Sequence, residues 1–216
     1  RFQAKGDAQA GTAEVKVSAD EAVNADGRLD WKPRDGATAA TLRFEGAGPG
    51  LPAGAVADAL RQPIRLEAEA LVGDRRIDLS KAVLTSGPQT VDLTGSYERP
   101  SDRVSGSLIV RSPEPAALAG LASGMTWRGL RLDLKADLAE VSRGGRGTVD
   151  VVGRVDDLSA SGLDARLPKP GALDLKASVN LADGKILLNQ LDVRSGVATV
   201  TAVSYTHLRA HETRED

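Results

Sequence analysis

In Leu173-Asp-Leu-Lys-Ala-Ser-Val-Asn-Leu181 every odd position is apolar and every even position is polar. Successive side chains of a β-strand point to opposite faces. A period of two therefore sets Leu173, Leu175, Ala177, Val179 and Leu181 against Asp174, Lys176, Ser178 and Asn180. The same alternation runs through Ile64–Ala70, Val91–Tyr97, Val104–Val110, Leu132–Leu138 and Val149–Val155. It is weaker in Ala13–Ser18, Arg28–Trp31, Thr41–Glu45, Ile77–Leu84, Ile186–Arg194 and Val197–Thr201. One apolar and one polar face per strand is the pattern of an antiparallel sheet wetted on one side. The expected fold class is all-β.

Turn chemistry separates these segments. Asp183-Gly184 between two apolar runs predicts a type I′ hairpin, and Asp26-Gly27 predicts one more weakly. Ser142–Gly147 is Gly-rich but lacks the Lys-Ser/Thr of a phosphate loop, and no helical pattern follows it. It reads as a flexible hairpin loop. Pro52–Leu60 and Pro115–Leu121 carry helical spacing, and each is too short to stand alone. Leu132-Asp-Leu-Lys-Ala136 recurs as Leu173-Asp-Leu-Lys-Ala177, which with the hairpin rhythm suggests stacked β-units.

Composition narrows the chemistry. Cysteine is absent, and the only histidines, His207 and His211, lie at the C-terminal end. The stretch Val203–Asp216 resembles one translated reading frame of a transposase-type sequencing adapter and is set aside as a non-native tail; a polar C-terminal tail is the plainer alternative. Residues 1–202 then form one β-repeat unit, with the parent protein expected to extend beyond both ends. Without His or Cys this unit offers no histidine base, thiol nucleophile or His/Cys metal site. No enzymatic activity and no cofactor are expected. The 28 basic and 30 acidic side chains nearly cancel, which gives no electrostatic footprint for nucleic acid. Aromatics are few and Leu, Val and Ala are spread evenly, which favours an extended repetitive body over one dense core. Asp156-Asp157 reads as a surface turn rather than a Ca²⁺ site. Glu67 and Glu69 read as a solvated face rather than a glycosidase pair. Trp31 and Trp127 read as plugs near the turns, and Met125 as a gap-filler.

Four stretches carry a family resemblance: Phe44–Pro52 with Pro63-Ile-Arg-Leu66; Ser107–Pro113 with Ala116–Leu121; Leu130–Leu138 with Val149–Gly153; and Pro170–Leu175 with Asp183–Val193. Together they span most of Leu42–Ala202. In rhythm and composition the chain resembles the translocation and assembly module (TamB) family and its AsmA-like relatives. The resemblance implies a sheet curled lengthwise into an elongated, open, taco-like groove with an apolar lining. It implies a periplasmic location and an inner-membrane anchor near the N-terminus of the whole protein. It also implies passage of phospholipid between membranes, or support of outer-membrane protein assembly with a β-barrel partner met through a C-terminal part outside these residues. Leu66, Leu93, Leu108, Leu132, Leu134, Val151, Leu173, Leu175 and Val179 would line the groove against phospholipid acyl chains. The small residues Ala68, Ala70, Gly95, Ala136, Gly153 and Ala177 would leave room for them.

Periodicity by itself fits a closed sandwich equally well, in which the same side chains pack against a second wall. The competing functions are therefore a β-sandwich or β-solenoid adhesin or autotransporter passenger with a closed core and, more remotely, a polysaccharide-acting β-helix enzyme.

Overall fold

The computed structural model describes residues 2–7, 9–19, 23–47, 62–113, 125–143, 145–160, 171–182 and 185–203. Fourteen strands are present among them: β1 (Phe2–Gly6), β2 (Gly11–Ala19), β3 (Val23–Arg34), β4 (Ala37–Ala47), β5 (Ile64–Val72), β6 (Arg76–Ser86), β7 (Gln89–Glu98), β8 (Arg103–Ser112), β9 (Met125–Thr126), β10 (Gly129–Ala139), β11 (Arg146–Ala160), β12 (Gly171–Ala182), β13 (Lys185–Ser195) and β14 (Thr199–Val203). All pairings are antiparallel. The strands follow one another across a single sheet in chain order, except that β8 pairs directly with β10 and the two-residue β9 pairs with β11. β1 and β14 are the two ends, so the sheet is open rather than closed into a barrel. The protein is thus an all-β, open, repetitive meander.

Each segment whose alternation is strong lies inside a strand, and the weaker segments lie within β2, β3, β4, β6, β13 and, from Thr199 onward, β14. The exposed edge strand β1 lies outside the segments expected from alternation. β14 includes Val203, the first residue assigned to the tail.

One turn was misplaced. Asp26 and Gly27 lie in the middle of β3, where Gly27 pairs with Val15 on one side and Phe44 on the other. A Cβ on Gly27 would sit 3.3 Å from the Phe44 ring, so the glycine makes room for an aromatic neighbour rather than for a bend. The hairpin instead turns at Asp35-Gly36, between the paired residues Arg34 and Ala37. Both turn residues have positive φ, 51° and 77°, as a type I′ turn needs. The Ser142–Gly147 segment does connect two paired strands, but it is anchored. Val141–Arg143 forms one 3-10 turn, and Arg146 and Gly147 already belong to β11. Ser142 donates from its backbone N (2.8 Å) and its hydroxyl (2.5 Å) to Asp102 Oδ2. The helices expected at Pro52–Leu60 and Pro115–Leu121 lie outside the described residues, as does Asp183-Gly184, on either side of which Ala182 pairs with Lys185.

The pairing slips at three bulges. Ser80 is extra in β6 opposite β5, Asn189 is extra in β13 opposite β12, and Asp156-Asp157 in β11 faces the single residue Ala172. A bulge bends its strand and increases local twist. Between β7 and β8 the glycines Gly95 and Gly106 face each other. A Cβ on either would meet the opposite backbone at 2.8 Å or 2.7 Å, so the backbones approach there more closely than any side chain permits.

Charged residues cover the outer face. The sequence Arg-apolar-Asp recurs at Arg28–Asp30, Arg76–Asp78, Arg131–Asp133 and Arg154–Asp156, each closing an ion pair of 2.7–3.0 Å along its own strand. Arg28 also reaches Glu14 and Arg154 reaches Asp174 on the next strand. Across β8 and β10, Arg103 grips both oxygens of Asp137 at 2.8 and 2.5 Å. The Arg103 hydrogen bond holds the Asp137 carboxyl below its ordinary range. The Arg28 guanidinium, and then the Thr12 hydroxyl, do the same to Asp30. A carboxyl with a depressed folded-state pKa stabilises the fold fully above its unfolded pKa. That stabilisation is lost as pH falls through the folded value. Because these pairs are exposed, each contributes little. Acid titration should therefore lower the unfolding midpoint gradually below the ordinary carboxylate range, and Asp137→Asn should flatten that slope slightly. A sharp cooperative acid transition removed by that one change would contradict this description.

Candidate functional site

The pairing registers carry one row of side chains across the whole sheet. From β2 to β14 it reads Ala13, Leu29, Leu42, Ala68, Ala82, Leu93, Leu108, Leu134, Val151, Ala177, Leu191 and Ala202, with Ala4 of β1 before it. Every member is apolar. A second row, two residues along each strand, includes Phe44, Leu66, Leu84, Val91, Val110, Leu132, Gly153, Leu175 and Val193. A third, on the other side, reads Ala40, Ala70, Leu79, Gly95, Gly106, Ala136, Val149 and Val179 from β4 to β12. No charged residue interrupts these rows. A register error of one residue in any strand would place its charged set among them. The bulges keep phase, returning Leu79 and Ala82, or Leu188 and Leu191, to the same face.

The nine expected lining residues all stand on this face. Leu93, Leu108, Leu134 and Val151 are consecutive in the central row. Leu66, Leu132 and Leu175 lie in the second row and Val179 in the third, while Leu173 pairs with Val155 one row further out. The six small residues stand on it too. From β4 to β10 the third row is small at every strand but β6, which leaves a shallow lane. Leu29, Leu42, Phe44, Val110, Leu191 and Val193 belong to the same face but were not singled out from sequence. The strand registers place them on these rows, and all but Val110 lie in a short or phase-shifted stretch of alternation.

No second wall covers this face among the described residues. Trp127, at 7 % exposure, is the one buried large hydrophobic side chain there. None of the nine lining residues is buried, and Leu93 is 40 % exposed. A sandwich core would bury the inward-facing members of every strand. Thirteen strands about 4.8 Å apart make a strip roughly 58 Å long. Three rows about 6.7 Å apart give it an apolar area on the order of 1,000 Å². Soluble monomers rarely expose patches beyond a few hundred Å².

The acidic candidates stand elsewhere. Glu67 is on the outer face and pairs with Lys81 at 3.1 Å. Asp156 pairs with Arg154 at 3.0 Å, and Asp157 with Arg128 at 2.9 Å. Among the described residues no group of three or more His, Cys, Asp or Glu is placed to hold a metal ion. Trp31 lies on the apolar face beside Ala40 and donates its indole N–H to the Asp7 carbonyl at 2.9 Å. The resulting class is an open single-layer sheet with one uninterrupted apolar face and one charged face. No protein-family model, curated protein or solved structure matches the chain.

Proposed function

We propose that this chain is a lipid-carrying segment, a periplasmic length of an inner-membrane-anchored bridge that conducts phospholipid along its apolar face or supports outer-membrane protein assembly. The observation that carries this reading is the unbroken apolar register across thirteen strands with no covering layer among the described residues. Acyl chains are the occupant that such a strip suits. Each methylene exposed to water costs about 0.8 kcal/mol, so a chain of roughly sixteen carbons costs about 13 kcal/mol in crossing an aqueous gap. A continuous apolar strip offsets most of that without any chemical step. The absence of specific polar groups along the rows suits a cargo that must slide rather than stay. A β-barrel partner would meet another part of the whole protein. The closed-core adhesin reading requires an inner wall that is buried, and the exposed Leu93 with its half-buried neighbours counts against it.

The test is to purify the chain from Gram-negative cells without detergent and extract it for lipid mass spectrometry. The expected result is co-purified phospholipid at near-stoichiometric amounts. Lipid-free protein that stays monomeric would overturn the proposal.

A further inference from the structure

Beyond the row formed by Leu130, Val155 and Leu173, the apolar face ends in a small recess of about 370 Å³. Its shape comes from the β11 bulge. Asp157 takes a positive φ of 50° there, Arg128 N–H donates to the Asp156 carbonyl at 3.0 Å, and Leu158 pairs with Gly171, whose φ is 67°. Thr126, Trp127, Arg128, Asp157 and Ser159 line the recess together with Leu158 and Gly171. Two features make it unlike the rest of the rim. Trp127 is buried to 7 % exposure, yet its indole Nε1–H has no hydrogen-bond partner. Buried donors are rarely left so, and each calls for an acceptor. Beside it, Arg128 and Asp157 form an exposed ion pair of 2.9 Å, the kind that holds weakly and exchanges readily for other charged groups.

We infer that this recess seats the zwitterionic phosphodiester headgroup of a lipid, with the phosphate taking the Trp127 N–H and Arg128 and the ammonium taking Asp157, while the acyl chains run onto the Leu130–Val155–Leu173 row. The inference rests on the lipid-carrying reading above. One cation and one anion side by side match a group that carries both charges. A purely anionic headgroup would meet Asp157 without a counter-charge. A sugar would need an exposed indole face, and Trp127 is buried to 7 % exposure. Leu158 and Gly171 continue the apolar face into the recess, so headgroup and chains need no change of direction.

The experiment uses the full chain with ¹⁵N-labelled tryptophan and soluble short-chain probes. The two indole N–H resonances are assigned by Trp127→Phe, which deletes one of them. Dihexanoyl phosphatidylethanolamine is expected to move the Trp127 resonance downfield and leave that of Trp31 in place. It should bind about tenfold or more tighter than dihexanoylglycerol, the range of a hydrogen bond to a charged group. Arg128→Gln and Asp157→Asn, both at exposed side chains, should shrink that gap. If both probes bind equally and the Trp127 resonance stays still, the headgroup site is wrong while the apolar carrier stands. If glycerophosphoethanolamine alone gives the full response, the site takes free phosphodiesters and the lipid assignment is wrong. If no probe binds, both readings fall.

Discussion

Replacing Gly147 with alanine should destabilise the fold by about 3 kcal/mol or more, the range of substitutions that force a backbone apart. Gly147, the second residue of β11, has φ 148° and pairs with Leu138 on β10 and Leu181 on β12. A Cβ there would lie 1.9 Å from the Asp137 carbonyl oxygen and 2.9 Å from its carbon. Those atoms are backbone, with no flexible side chain to move aside. β10 in turn is held by β8 and by the Arg103–Asp137 pair. Gly6 supplies the control. Its Cβ would come within 2.3 Å of the Ala10 carbonyl at a comparable φ of 129°. But Gly6 is on the edge strand β1, every residue of which is exposed. Gly6→Ala should cost less than about 1 kcal/mol, because an edge strand can peel away from a sheet that stays folded. Urea denaturation followed by far-UV circular dichroism checks both. Equal midpoints for the two variants would show that the interior register is not constrained as described.

The second large effect concerns the apolar face. Leu134→Asp and Val151→Asp, made singly, each place one carboxylate in the central row opposite an apolar partner, since Leu134 pairs with Val151. Leu175→Asp sits in the adjoining row against Gly153 and Val193. With the face open, each carboxylate is hydrated and the sheet loses only cross-strand packing, about 1 kcal/mol or less per pair. With acyl chains laid over it, the same carboxylate must shed water without a partner, which costs several kcal/mol. The expected outcome is a loss of lipid content of about a hundredfold for each variant, with the circular dichroism spectrum retained. Ser107→Asp, on the outer face between Thr94 and Lys135, should change neither. Undiminished lipid in all three face variants would defeat the carrier proposal.

Much of this was legible in the sequence, and the parts that were not have identifiable causes. Strands with unbroken alternation, such as Leu173–Leu181, declare both their existence and their faces. Two of the weaker ones, β6 and β13, are weak because their phase slips, and the strong alternation of β11 stops at a slip of the same kind. In β6 the slip falls at Ser80-Lys81, in β13 at Asn189-Gln190, and in β11 at Asp156-Asp157. Each time two consecutive polar residues separate two apolar phases, and each time the structure holds a bulge there. Asp156-Asp157 was therefore a misread bulge rather than a surface turn. Asp26-Gly27 mimicked a hairpin because its composition is that of a turn. The deciding term was tertiary, the Phe44 ring opposite Gly27. The continuity of the central row could not be read at all from single strands. It depends on the twelve registers between thirteen strands agreeing, and register is a property of pairs. Trp127 is expected near a turn, and the burial of its N–H without an acceptor is a tertiary property that no local pattern carries.

A phospholipid bearing a photoreactive diazirine at mid-chain tests the account most directly. It would be loaded onto the chain, irradiated and mapped by peptide mass spectrometry. The expected crosslinks fall on Leu93, Leu108, Leu134, Val151 and their row neighbours, with none on Ser107, Lys135 or Asp150 of the outer face. Crosslinks shared equally by the two faces, or none on the central row in lipid-bearing protein, would contradict it.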